Sequence, residues 1–457
     1  MRRCFAISLQ TITAAFRLRA LVTVLILLTI CVAGLPLVIR HNGTARMFAE
    51  VMLTYNLSVI AVLLGFTTLW LACGTLAGEI ETGLLQMVAV KPIARWQIWL
   101  GKWLGILIVD ALLLGLASGA AIAVLFWRAH ELPPEQQTVL RQEVLVARGS
   151  LREAPTDLEP DVERLYEQRR NDESVRGLDP QFVKQQLRAI AKARIEGVPP
   201  NYGRVWTMEL GARRFFLRDK PLFLRVKFHA ASGNSGVFNT VWIIGDVASG
   251  HFQRLPRSMP ADAVQEFAIS PNLYSSDGKL AIECQNRDAT TLLFPLEEDL
   301  ELLYPEGGFL LNYTRGAGII FCWLALLAAV GLAASTFLSF PVAALLALTL
   351  LVVGLSGGMF SDVVQDGTYW GFDTDTGRPQ SPVLDWFFVP IFRAASFIVN
   401  HVSPFSPIDA LASGRSISWE QLGLAVAEIP VLAGGIFAAI GAVTLTRRQL
   451  GQSSNTS

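Results

Sequence analysis

The chain is 457 residues long, with 38 basic and 38 acidic residues and a formal net charge of zero, so no global charge directs it to nucleic acid. Hydrophobic residues make up 52% and charged residues 17%, at a mean hydropathy of +0.42. That excludes an ordinary soluble protein and predicts membrane spans joined to one soluble domain.

Residues 1–19 interleave Arg2, Arg3, Arg17 and Arg19 with Phe5, Ile7, Leu9, Ile12 and Phe16. The mixture fits a helix lying on the inner membrane surface; a basic leader that only fixes orientation fits equally. The first apolar run, Leu21 to Ile39, is about the roughly 20 residues a span needs and lacks a convincing small-residue cleavage site, so it reads as a retained helix over 20–39. A short outer loop, RHNGTARMFAE, leads to span two at 52–77, and span three covers 98–127.

Between spans two and three lies TLAGEIETGLLQMVAVKPIARWQIWLGKWL, residues 75–104. Glu79 and Glu81, then Gly83, a short apolar segment, Lys91-Pro92 and Arg95-Trp96 fit a chain that leaves the bilayer, forms a short amphipathic surface helix and turns back. Gly83 and Pro92 can bend that path. Lys91, Arg95 and Lys102 place the turn on the cytoplasmic side, where basic residues accumulate in short loops.

From Arg128 to Thr314 the chain is polar, with no run long enough to span. Residues 131–200 have helical spacing, as in RLYEQRRNDES and QFVKQQLRAIAKARIEG. Residues 201–313 change to short alternating segments with turn signals, among them GVFNTVWIIGDV and GKLAIECQNRDATTLLF, which predict a β-sandwich or jelly roll. The five cysteines (Cys4, Cys31, Cys73, Cys284, Cys322) contain no CxxC pair, and only Cys284 falls in this polar middle, so no internal disulfide framework is available to the domain.

Spans four and five form a hairpin, 316–337 and 341–359, joined by FLSFP. The 360–425 loop is polar and aromatic; within it, 383–400 is broken by Asp385, Pro390 and Arg393 and reads as interfacial or re-entrant helices packed on protein. Span six runs over 422–444 and ends in TLTRRQL. Six spans put both termini on one side, and Arg2, Arg3, Arg17, Arg19, Arg447 and Arg448 make it cytoplasmic, with the 128–314 domain and the 360–425 loop outside. Arg40 and Arg46 in the first outer loop go against that rule. The fold class is thus a mainly α membrane protein: six transmembrane helices with an inserted extracytoplasmic α+β domain. Its parts are 1–127 with the turn at 78–97, 128–314, and 315–457.

The string LACGTLAGEIETGLLQMVAVKPIARWQIWLGKWLG resembles the second span, coupling segment and third-span start of type-2 ABC transporter permeases. In that family a Gly-Glu precedes a helix and a Lys/Arg-Pro-(x)-x-Arg-Trp-like turn; here the positions are Gly78, Glu79, Glu81, Thr82, Gly83, Lys91, Pro92, Arg95 and Trp96. The surface helix before span one, the FLSFP hairpin, SPFSPIDALASGRSISW before span six and the terminal TRRQL agree, so the resemblance covers roughly 1–127 and 315–450. The inserted outer domain is a departure, since many members have only a short loop there. Lipopolysaccharide-extracting permeases also carry a jelly roll between spans three and four, without matching this chain more closely.

The resemblance implies a permease that pairs with a second permease subunit, identical or not, and with two cytoplasmic ABC ATPases whose groove receives the coupling segment. ATP would be held by the partner, with no cofactor in this chain, no nucleic acid and, at the family level, export. Glu79 and Glu81 would pair with basic groups of the ATPase or of neighbouring spans, and Lys91 and Arg95 would anchor the turn to lipid phosphates. The plainer reading is that these charges cap the spans and set orientation.

Leu355-Ser356-Gly357-Gly358 spells a fragment found in ABC ATPases, but it ends an apolar span and the chain has no G-x-x-x-x-G-K-[ST] phosphate loop. Small-residue helix packing is the better use of it, and the chain is not expected to hydrolyse ATP. Asp110 within span three is a candidate pathway residue, since an intramembrane carboxylate is costly; a structural hydrogen bond explains it equally. Asn56 and Glu428 are weaker candidates. His41, His130, His229, His251 and His401 show no ligand spacing, so no metal site is expected, and no nucleophile motif suggests a catalytic residue. Trp206, Trp242, Phe252 and Tyr274 would bind a sugar or lipid headgroup if exposed, and would otherwise be sandwich core; the outer domain as a whole would gate, receive substrate or dock an extracytoplasmic partner. A membrane-anchored extracytoplasmic binding or sensory protein is the alternative to a permease.

Overall fold

A computed structural model describes residues 2–17, 19–38, 44–89, 93–153, 157–170, 180–231, 233, 236–246, 250–275, 277–296, 300–355 and 406–447, with 386, 389, 390 and 393 as isolated positions. The chain divides into two units: 1–147, 308–361 and 392–457 in one, 148–307 and 362–391 in the other.

The first unit is a helical bundle. Its described helices are α1 (Arg2–Arg17), α2 (Arg19–Val38), α3 (Ala45–Glu81), α4 (Leu84–Ala89), α5 (Arg95–Ala129), α6 (Pro134–Val139), then, after the second unit, α9 (Phe309–Ser335), α10 (Phe340–Leu355), α11 (Pro407–Ala412) and α12 (Trp419–Arg447). Four of these, α3, α5, α9 and α12, are long and apolar enough to cross a membrane. They correspond to the expected spans two, three, four and six. The first expected span is the second member of a pair bent by 68°, α1 with Leu21–Gly34 of α2, which passes the same test only when taken together; the fifth, α10, is shorter. Helices α3 and α5 have 37 and 35 residues. At 1.5 Å per residue they are about 50 Å long, well beyond a hydrocarbon core of about 30 Å.

Within this unit, one end of the bundle collects the C-termini of α3, α9 and α12, the N-termini of α5 and α10, and helix α1. Helix α1 seats on α5 through Gly101-x-x-x-Gly105. A Cβ on Gly101 would lie 2.8 Å from Ile7 Cβ and 2.9 Å from the Cys4 carbonyl oxygen; on Gly105, 2.8 Å from Thr11 Cβ and 2.9 Å from the Ser8 carbonyl oxygen. The Ser8 hydroxyl donates across the joint to the Gly101 carbonyl at 2.9 Å. Close approach of backbones through small residues is how apolar helices associate where there is no hydrophobic drive. Cys4, Ile7, Ser8, Thr11 and Ala15 face inward and Phe5, Leu9 and Phe16 outward. Gly101→Leu is expected to cost about 1–3 kcal/mol, because the clash is with main chain. A lowered melting temperature in detergent, with faster tryptic cleavage at Arg17, is the readout.

Helix α12 passes through a π-helical segment, Ala427–Ala433, around Pro430. Proline has no N–H to donate and its ring displaces the carbonyl four residues back, so the helix widens locally and continues. Glu428 lies in that segment.

The second unit is a jelly roll. Its eight longer strands are β1 (Val146–Leu151, whose first two residues belong to the bundle unit), β2 (Gly203–Glu209), β3 (Leu222–Val226), β4 (Val237–Asp246), β5 (His251–Pro260), β6 (Gln265–Ile269), β7 (Lys279–Asn286) and β8 (Leu300–Gly308). They form two sheets in the orders β1-β8-β3-β6 and β2-β7-β4-β5. Strand one beside eight, eight beside three, and two beside seven is the jelly-roll interleaving. The core between the sheets joins Leu222, Leu224 and Leu302 of one to Trp206, Trp242 and Ile282 of the other, with Phe228 and Phe294 between them. Trp206 and Trp242 stack at 6.1 Å. The alternation that predicted a sandwich is the alternation of these inward side chains.

The stretch 131–200 differs from the all-helical expectation. It holds α6, α7 (Glu159–Arg169) and α8 (Pro180–Glu196), but also β1. The sequence VARGSL lacks a helical apolar stripe, and pairing beside β8 completes the sheet edge. Helices α7 and α8 are inserted between β1 and β2 and pack on Val162, Val183 and Leu187, laced by Arg188–Glu159 and Lys184–Glu163 ion pairs at 2.6 Å each. Most of 360–425, including nearly all of 383–400, lies outside the described residues, as do Ser356, Gly357 and Gly358.

Candidate functional site

The turn between α3 and α5 is built from charged side chains that reach three other helices. At the end of α3 the Thr82 hydroxyl donates to the Gly78 carbonyl at 2.7 Å, and the Gly83 N–H to Ile80 at 3.2 Å. Gly83 has φ +73°, the left-handed turn that ends a helix with least strain at glycine. The chain breaks direction there and begins α4. No heavy atom lies within 4 Å of a Cβ placed on Gly78, so packing does not demand glycine at that position.

Glu79 pairs with Lys102 of α5 at 2.7 Å, and the ammonium, only 3% exposed, also donates to the Thr75 carbonyl at 3.4 Å. Glu81 accepts from the Phe340 N–H at 3.2 Å, a carboxylate at the N-terminus of α10, where unpaired amides and the helix dipole favour negative charge. Arg95 opens α5 and donates to the Leu445 and Thr446 carbonyls at 2.7 and 3.1 Å, at the opposite pole of α12. The turn is therefore braced on α5, α10 and α12. Glu79 thus meets a basic group of a neighbouring helix, whereas Glu81 meets a backbone N–H of α10 and not a basic group. Arg95 holds a helix end. Lys91 and Pro92 lie outside the described residues.

Between the braces, α4 buries Leu85 and exposes Leu84 and Met87, with Trp96 exposed at the start of α5. An apolar rim held on a rigid frame is what a protein surface needs to receive a push from a partner.

Asp110 and Asn56 are both buried, but the structure does not bring them together. Asp110 accepts from the Thr68 hydroxyl at 2.9 Å through Oδ1, and its Oδ2 has no hydrogen-bond partner. Thr68 is twelve residues along α3 from Asn56, which is about 18 Å of helix. Asp110→Asn keeps an acceptor for Thr68 and replaces a buried carboxyl group by an uncharged amide of the same shape. It is expected to leave the melting temperature unchanged or higher, and a fall of several degrees would contradict that.

Trp206 and Trp242 are fully buried in the jelly-roll core; Phe252 is exposed and Tyr274 half-buried, its hydroxyl donating to the Arg214 carbonyl at 3.1 Å. The tryptophans are therefore core and not a ligand platform. Burial pushes the Cys284 thiol up from its ordinary range, which makes it a poor nucleophile at neutral pH. Among the described residues, no group of three His, Cys, Asp or Glu is placed to hold a metal ion.

Sequence reasoning located the turn but missed two of its three anchors, the α10 N-terminus and the α12 C-terminus. Both are backbone groups and carry no residue signature. Gly101-x-x-x-Gly105, the seat of α1, is legible as a small-residue motif and was not singled out. No protein-family model, curated protein sequence or solved structure matches the chain.

Proposed function

We propose that this chain is the membrane permease subunit of an ABC transporter, forming half of an export pathway with a second permease subunit and driven by separate cytoplasmic ATPases. With α2 and α10 counted, it crosses the plasma membrane six times, termini and α3–α5 turn inside and the jelly roll outside. The observation that carries this reading is the bracing of the turn on α5, α10 and α12 through Glu79, Glu81 and Arg95. A segment that only reverses the chain needs no such frame. One that receives force from closing ATPases must be stiff, and must deliver that force to several spans at once.

Leu84, Met87 and Trp96 form the contact surface on this reading, and Glu79, Glu81 and Arg95 transmit. Asp110 is a structural acceptor for Thr68 that also lies along the pathway between α3 and α5. The test is purification of the chain from native membranes in mild detergent. An associated ATP-hydrolysing subunit is expected; a stoichiometric native complex without one overturns the proposal and favours an anchored binding or sensory protein.

A further inference from the structure

The loop between β2 and β3, residues 210–221, reads LGARRFFLRDKP. Phe215 and Phe216 are 71% and 76% exposed, among the most exposed large apolar side chains described. Arg213, Arg218 and Lys220 beside them are exposed too, and among the described residues they form no ion pair. The Arg214 guanidinium lies 4.9 Å from the centre of the Phe215 ring, and adjacent exposed aromatics among basic side chains are the composition of a membrane-surface contact.

The loop is held rigid. Leu217 is buried in the jelly-roll core, and Tyr274 donates to the Arg214 carbonyl. Asp219 and Asn272 exchange hydrogen bonds, 3.2 Å from the Asp219 N–H and 2.6 Å from the Asn272 amide. Both take positive φ, 59° and 62°, a strained backbone for residues other than glycine. These contacts order the backbone that carries Phe215 and Phe216, so little ordering remains to be done on binding.

Strand register gives the loop its direction. Phe223 of β3 pairs with Leu303 of β8 and Val226 with Leu300, so the start of β3 lies toward the end to which β8 runs, about four residues short of Gly308. Ile269, the last residue of β6, pairs with Leu222 at the same end. Strand β8 finishes at Gly308 and the next residue opens α9, which is long and apolar enough to cross a membrane. By chain connectivity, the loop belongs to the end of the jelly roll from which the chain enters the bilayer.

We propose that Phe215 and Phe216 insert into the surface of the chain's own membrane, with Arg213, Arg218 and Lys220 on anionic lipid headgroups. The loop is thus an attachment of the jelly roll to the bilayer in addition to its covalent links. The proposal does not depend on an ATPase partner.

The test uses the full-length chain in proteoliposomes. Four of the native cysteines are buried, and Cys31, which is not, is replaced by serine. Phe216→Cys then carries an environment-sensitive fluorophore, with Gln168→Cys on α7 as a solvent reference. In vesicles containing phosphatidylglycerol, the Phe216→Cys probe is expected to be shielded from iodide and quenched by lipids spin-labelled near the headgroup, while the Gln168→Cys probe is not. The triple variant Arg213→Gln, Arg218→Gln, Lys220→Gln, and purely phosphatidylcholine vesicles, are each expected to cut the lipid quenching at least about twofold, since each basic residue near an anionic surface strengthens association by roughly fivefold. A water-like probe overturns the proposal, as does a shielded probe that lipid spin labels do not quench, the signature of a protein cover. Quenching that ignores both headgroup charge and the triple variant overturns it as well. If Phe216→Cys does not fold, Ala212→Cys in the same loop gives the same reading.

Discussion

Glu79→Ala is expected to lower the stability of the helical bundle by about 3–5 kcal/mol, the usual cost of removing one partner from a buried ion pair. The reason is Lys102, which is 3% exposed and would be left buried with no carboxylate at 2.7 Å and only the Thr75 carbonyl at 3.4 Å. Adding Lys102→Met should recover most of the loss, because an apolar chain of similar length tolerates that site without a counter-ion. Stability measured by denaturant titration in detergent decides the matter: a single variant within 1 kcal/mol of wild type contradicts the brace. The double variant separates fold from function. It is expected to be stable yet weaker in transmitting ATPase closure, by about 0.5–2 kcal/mol of coupling.

The second large effect lies in the jelly roll. The outward face of the β1-β8-β3-β6 sheet carries a ladder of alternating charge: Arg148 meets Glu266 at 2.5 Å, Arg225 meets Glu266 at 3.2 Å, and Arg152 meets Glu301 at 2.8 Å. Glu266 is 1% exposed and Arg148 3%. Cross-strand register puts Arg225 opposite both Glu301 and Glu266, so the two carboxylates flank one guanidinium. Glu266→Ala leaves two buried guanidiniums short of a carboxylate and is expected to cost about 3–5 kcal/mol. Loss of near-ultraviolet circular dichroism from the buried Trp206–Trp242 pair at lower temperature reports it. Glu163→Ala on α7, where the ion pair with Lys184 is open to solvent, is expected to leave the melting temperature unchanged.

Much of the architecture was legible in the sequence because it is written in periodicity. Apolar runs of span length became α3, α5, α9 and α12, and alternation such as VFNTVWIIGD became the core strand β4. The jelly-roll topology agreed with one of two expected sandwich forms. Strand β1 was hidden inside a stretch of helical composition, because an edge strand earns its place by pairing and not by pattern. The site was legible only as a location. Glu79, Glu81 and Arg95 announce a turn, but their partners Lys102, Phe340 and Leu445 stand up to 350 residues away, and two of those contacts are to backbone. Asn56 and Asp110 are equally conspicuous as polar residues in apolar helices, but Asp110 bonds Thr68, about 18 Å along α3 from Asn56, because spacing between helices is not encoded in either one.

The central claim is that the exposed rim of α4 faces the cytoplasm and is covered by an ATPase. Met87→Cys, 64% exposed in the wild type, can be probed with a membrane-impermeant maleimide in right-side-out and inverted vesicles. The account predicts labelling only in inverted vesicles, and only after the associated ATPase has been stripped away. Labelling in right-side-out vesicles, or labelling in inverted vesicles that stripping leaves unchanged, would contradict it.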